Sequence, residues 1–78
     1  MEPEKGLIVY AMAGRDKGRY FVVLEAEKGY ALIADGKTRK LAKPKRKNAK
    51  HLRMTGTKIA LTQITDKKLR VLLKEFTV

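Results

Sequence analysis

The chain has no cysteine, no tryptophan and no serine, and its one histidine is His51. Without cysteine, neither a disulfide framework nor a thiolate zinc cluster can staple the fold. Stability must then rest on a small core, on the order of 3–5 kcal/mol for a chain this short. The same absence fits a reducing, cytoplasmic setting. Nucleophilic catalysis needs serine or cysteine beside a base, and a lone histidine with scattered acids cannot supply a zinc site. The sequence therefore reads as non-enzymatic, with no metal, no cofactor and no small-molecule substrate. The longest apolar run, Leu7 to Ala13, is far shorter than a membrane span, which needs about 20 residues. The acidic start, MEPEK, lacks the basic region of a secretion signal. A soluble protein without a membrane partner is expected.

What the chain has is positive charge, unevenly placed. Residues 1 to 36 carry five Lys or Arg against six Asp or Glu, residues 37 to 53 carry nine against none, and residues 54 to 78 carry five against two. Most of the net charge of +11 thus sits in KTRKLAKPKRKNAKHLR. Charge concentrated in one segment is the footprint of a polyanion partner rather than a device for solubility. Nucleic acid leads that class.

Seventy-eight residues make one small domain, of mainly β character by pattern. Residues 7 to 12 mix β-branched and aromatic side chains without polar alternation, which suits a strand covered on both faces. Gly14 and Gly18 bracket a reversal, Tyr20 to Leu24 forms a second strand, and Tyr30 to Ala34 a third. Asp35-Gly36 has the composition of a two-residue hairpin turn, so a fourth strand is expected from Lys37, anchored by Leu41 and ended by Pro44. Residues 43 to 50, KPKRKNAK, are too polar to bury and read as a mobile loop. His51 to Met54 would close the sheet, with a turn at Thr55-Gly56-Thr57. Leu69, Leu72, Leu73 and Phe76 recur at helical spacing, predicting a helix over about 66–76 with Thr65 or Asp66 as N-cap. Residues 57 to 64 favour neither period. Short strands of this kind remove their open edges by bending into a barrel, with the helix capping one open side.

Each candidate contact has a plain structural reading beside the functional one. Arg15, Lys17 and Arg19 alternate through the first turn and would present their tips together to phosphate. Alternatively, they are solvated turn residues, one of them neutralised by Asp16 in a weak surface pair. Lys37, Arg39, Lys40, Lys43, Lys45, Arg46, Lys47, Lys50 and Arg53 would release counterions from a phosphate backbone, and the arginines could also stack on bases. Otherwise they form a solubilising connection. Changing Lys45, Arg46 and Lys47 to Ala is expected to weaken binding and leave the fold intact. Tyr10, Tyr20 and Tyr30 are either stacking platforms or cross-strand packing. His51 reads as a half-exposed strand residue.

One resemblance joins these pieces. The order Gly6, Val9, then Ala13-Gly14-Arg15-Asp16-Lys17-Gly18, followed by Val22 and Val23, is similar to the KOW motif of ribosomal and transcription-associated RNA-binding proteins. Phe21 stands where general KOW motifs carry a glycine. Tyr30 to Gly36, Arg39-Lys40, Lys43 to Lys47 and Lys50-His51-Leu52 resemble the bacterial branch of the eukaryotic-type large-subunit ribosomal protein fourteen-like family. The resemblance covers residues 6 to 54. It implies an SH3-like barrel of about five strands whose Gly14–Gly18 loop and basic segment contact ribosomal RNA, with Gly14, Gly18 and Gly36 shaping the loops. The expected organisation is a flexible leader over residues 1 to 5, the barrel over 6 to 54, and a helical extension over 55 to 78. The expected function is RNA binding in association with the ribosome. The alternatives are a protein-interaction module of the transcription or translation machinery and a general polyanion binder for DNA or anionic lipid.

Overall fold

The first strand's unbroken apolar character is explained by what covers each of its faces. A computed structural model describes residues 2–76; Met1, Thr77 and Val78, which belong to the expected leader and extension, lie outside the described residues. Strands β1 (Leu7–Ala11), β2 (Tyr20–Glu27), β3 (Tyr30–Ala34), β4 (Lys45–Asn48) and β5 (Leu52–Lys58) precede one helix, α1 (Asp66–Lys74). They form a single antiparallel sheet in the order β4-β3-β2-β1-β5. The two edge strands are consecutive in sequence, joined by the 3-10 turn Ala49–His51. The sheet must therefore curl until its edges approach, which gives a small barrel-like fold of the expected class.

Inside the curl, Leu7, Val9 and Ala11 of β1 meet Phe21, Val23, Ala31, Ile33 and Leu52. On the outer face Ile8, Val22 and Ala34 are covered by Leu69 and Leu73 of α1, with Tyr20, Leu24, Leu41 and Phe76 around them. Both faces of β1 and of the first half of β2 are thus covered, and each fully buried large aliphatic contributes about 1.5–3 kcal/mol. The helix lies along the sheet's outer face rather than capping an open end, because its leucine stripe needs an apolar partner there. Thr65 is its N-cap: the hydroxyl accepts from the Lys68 N–H at 3.1 Å. Of residues 57 to 64, the first two end β5 and the rest lead to α1, with Ile59, Leu61 and Ile64 packed into the outer core.

Three local expectations are corrected. No strand starts at Lys37: the Asp35 carboxylate accepts from the N–H groups of Lys37 and Arg39 at 2.9 and 2.8 Å, curling the chain into a wide loop instead of a hairpin. The fourth strand is Lys45–Asn48, inside the segment expected to be a mobile loop; its ladder to β3 is made by the backbone, to which side-chain charge is no obstacle. Thr55-Gly56-Thr57 is an irregularity within β5, where the pairing jumps from Val9↔Met54 to Leu7↔Lys58. There the Thr55 hydroxyl donates to the Ile8 carbonyl at 2.8 Å. Ahead of β1, the Glu4 carbonyl accepts from the Leu7 N–H, and the Glu4 carboxylate accepts from Lys58 Nζ. Among the described residues, no helix is long and apolar enough to cross a membrane.

Candidate nucleic-acid interface

The β1–β2 loop, residues 12–19, and the β3–β4 loop, residues 35–44, are bound together by two carboxylates that exchange partners. Asp16, in the first loop, is 2% exposed and accepts from Nε and Nη2 of Arg39, in the second, both at 3.2 Å. Asp35, in the second loop, is 8% exposed and lies 4.0 Å from Nη1 of Arg19, in the first. The same Arg19 nitrogen donates to the Thr38 hydroxyl. Each loop thus supplies one buried anion and one cation to the other. A two-pronged guanidinium–carboxylate contact fixes orientation as well as distance.

Lys47 completes the clasp from β4. Its Nζ donates to the Ala13 carbonyl at 2.7 Å and lies 3.8 Å from Asp16. Two expectations change here. Asp16 does not neutralise Arg15 or Lys17 on the surface; it is buried against Arg39 and Lys47, because the loop between Gly14 and Gly18 folds its middle inward. Lys47 is not an exposed member of the basic segment: on β4 it shares a face with Lys45, but only Lys47 reaches the Ala13 carbonyl and Asp16, while Lys45, at the strand's start, and Arg46, on the other face, stay exposed. Replacing Lys45, Arg46 and Lys47 together would therefore disturb the fold as well as the surface.

Gly14, Gly18 and Gly36 all adopt positive φ, at 78°, 88° and 77°. Gly36 has a further reason: a Cβ placed on it would lie 2.3 Å from the Asp66 carbonyl oxygen, so only glycine lets the β3–β4 loop touch the start of α1. The contact is reinforced by the Leu41 N–H, which donates to the Asp66 carboxylate at 2.9 Å, and by Arg70 Nη1, which donates to the Gly36 carbonyl at 2.7 Å.

With the clasp closed, Arg15, Lys17, Lys37, Lys40, Lys43, Lys45 and Lys50 remain exposed and make no side-chain ion pair among the described residues. Arg46 instead pairs with Glu27 at 3.1 Å and lies over the Tyr30 ring, 3.8 Å from its centre. Arg53 stands 5.6 Å from the Tyr10 ring centre, and with Lys50 it borders a separate shallow hollow containing Met12, Leu52 and Met54. Tyr10 and Tyr20 pack across strands, their rings 5.0 Å apart, and Tyr20 also meets Phe76, just beyond α1, at 5.5 Å. His51 is half-buried, and its carbonyl accepts from the Met12 N–H.

Sequence reasoning missed the helix as a source of charge. Lys67, Arg70 and Lys74 recur at i, i+3 and i+7, the same period as the leucines but displaced around the helix, and they come to lie beside the β3–β4 loop. That spacing is legible in the sequence, interleaved with the apolar stripe of the same period. No protein-family model matches the chain, and a search of curated proteins returns no match.

Proposed function

We propose that the protein is a non-catalytic, cytoplasmic RNA-binding module, associated with the ribosome, that holds structured ribosomal RNA on the face built from its two clasped loops. One observation carries the reading: buried acids lock two cation-bearing loops into a fixed relation, while Arg15, Lys17, Lys37, Lys40, Lys43, Lys45 and Lys50 make no side-chain ion pair among the described residues. A bare solubilising tail needs no such rigid support. A fixed array of cations can match the spacing of phosphates along a folded RNA, which proteins read by shape and backbone more than by base edges. The KOW resemblance, centred on Gly14 to Gly18, points to the same loop. Arg39 and Lys47 act in this reading as internal supports, and the contacts fall to Arg15, Lys17, Arg19, Lys37, Lys40, Lys43, Lys45 and Lys50.

The test is fluorescence anisotropy of the purified protein with a labelled ribosomal RNA hairpin, duplex DNA of equal length, and anionic vesicles, from ~50 to ~300 mM salt. RNA binding that persists at the upper end while the other two are lost supports the proposal. Equal binding to all three, vanishing together with salt, would reduce the lysines to an unspecific polycation.

A further inference from the structure

A cleft of about 740 Å³ runs between the β3–β4 loop and α1, lined by Lys37 and Lys40 of that loop, by Arg19 of the β1–β2 loop, and by Lys67, Arg70 and Lys74 on the helix side. One carboxylate, Asp35, enters the lining, and its oxygens are taken up by the Lys37 and Arg39 N–H groups and the Thr38 hydroxyl. Two features separate this cleft from an ordinary solvated basic surface. Its walls are fixed to one another by the Arg70–Gly36 and Leu41–Asp66 hydrogen bonds, so the two rows of charge cannot spread apart. The helix also places Lys67, which lines the cleft, next to Asp66 in its first turn, at the positive end of its dipole, where a cation costs stability. Folding gains nothing from that placement. A bound anion does.

Resting on the RNA-binding reading, we infer that this cleft seats the phosphodiester backbone of a single RNA strand, making α1 part of the interface. The scale favours one strand. The whole domain measures 27 × 25 × 23 Å, so a duplex, comparable in breadth to the protein, can lie across the mouth of the cleft but cannot enter between a nine-residue helix and the loop. Val71, 59% exposed on the rim, offers an apolar contact to a base or sugar. Arg70 holds the wall as well as facing the cleft, whereas Lys40 and Lys67 are exposed and make no ion pair among the described residues. They are the residues to change.

The experiment compares wild type, Lys40→Glu/Lys67→Glu and Arg15→Ala/Lys17→Ala for binding to a labelled single-stranded oligouridine and to a blunt RNA duplex across a salt series. Thermal melting is followed in parallel; Glu at position 67 suits the helix dipole, so the first variant should melt no lower than wild type. The expected result is a loss of at least tenfold for the single strand, with the salt slope smaller by about 1.4 for two lost phosphate contacts, and a smaller loss for the duplex, which of the two residues meets Lys40 alone. Unchanged single-strand binding, or equal losses on both RNAs, overturns the cleft assignment. If the single strand is unaffected while Arg15→Ala/Lys17→Ala weakens the duplex, the cleft assignment falls alone. If wild type binds neither RNA, the RNA-binding proposal falls and takes the cleft with it.

Discussion

Asp16 and Arg39 meet edge to edge across two loops, with Nε and Nη2 of the arginine each 3.2 Å from a different oxygen of the carboxylate. The pair sits where most turn residues are solvated, and Lys47 shares the same carboxylate. Breaking it strands two cations with little access to water.

Asp16→Asn keeps the shape and removes the charge. The expected loss is about 3 kcal/mol, at the lower end for a broken buried pair because 26% of the Arg39 side chain remains exposed. Urea unfolding measures it, and adding Lys47→Met should recover part of the loss, since an apolar replacement relieves the unpaired ammonium. A loss below about 0.5 kcal/mol, the range of ordinary surface changes, would contradict the clasp.

Gly14→Val and Arg15→Ala separate the loop's backbone from its surface. A Cβ at Gly14 meets positive φ and the Lys47 ammonium at 3.0 Å, so valine is expected to cost about 1–3 kcal/mol. Arg15→Ala should melt within error of wild type and bind RNA more weakly. Equal melting losses for the two would show that Arg15 belongs to the support.

The contact between Gly36 and α1 can be isolated by pairing Gly36→Ala with Gly29→Ala. Both glycines have φ of +77°, but a Cβ at Gly29 meets nothing within 4 Å, whereas at Gly36 it collides with the Asp66 backbone. Gly29→Ala should cost about 1 kcal/mol from conformation alone, and Gly36→Ala at least twice that. Matching losses by chemical denaturation would mean the helix start yields freely.

The basic segment divides by burial, Lys43 and Lys45 being exposed and Lys47 held in the clasp. Lys43→Ala with Lys45→Ala should leave stability unchanged and reduce the salt slope of RNA binding by about 1.5. Lys47→Ala should instead cost about 2 kcal/mol, through the lost bond to the Ala13 carbonyl and the exposed need of Asp16. Melting and a salt titration on the same two proteins read both effects; a destabilised Lys43/Lys45 variant or an undisturbed Lys47 variant would reverse the division.

The parts of this fold that could be read from sequence are those decided by neighbours along the chain. The β2–β3 hairpin follows from two apolar runs around Lys28-Gly29, and α1 follows from its leucine spacing and Thr65. The β4 strand was hidden because its side chains are Lys45, Arg46, Lys47 and Asn48, a composition that signals solvent, while its backbone answers only to β3. Asp35-Gly36 has hairpin composition, yet the Asp35 carboxylate captures two amides of its own loop, and Gly36 is held by α1, an element thirty positions later in the chain. The site divides in the same way. Arg15 and Lys17 could be named from the loop they occupy, but nothing near Lys47 or Asp16 in sequence reveals that each is the other's neighbour.

The sheet order has a kinetic consequence. β1 is completed on one side by β2, which follows it at once, and on the other by β5, through pairs such as Ala11↔Leu52 and Leu7↔Lys58. Closing that second edge means bringing together the two ends of most of the chain, so folding should take milliseconds to seconds rather than microseconds. A growing chain must hold β1 half-paired until residue 58 has been made. Docking of β5 is then the slow step, sensitive to changes at Leu52 or Thr55, whereas changes in α1 act mainly on how fast the finished domain comes apart.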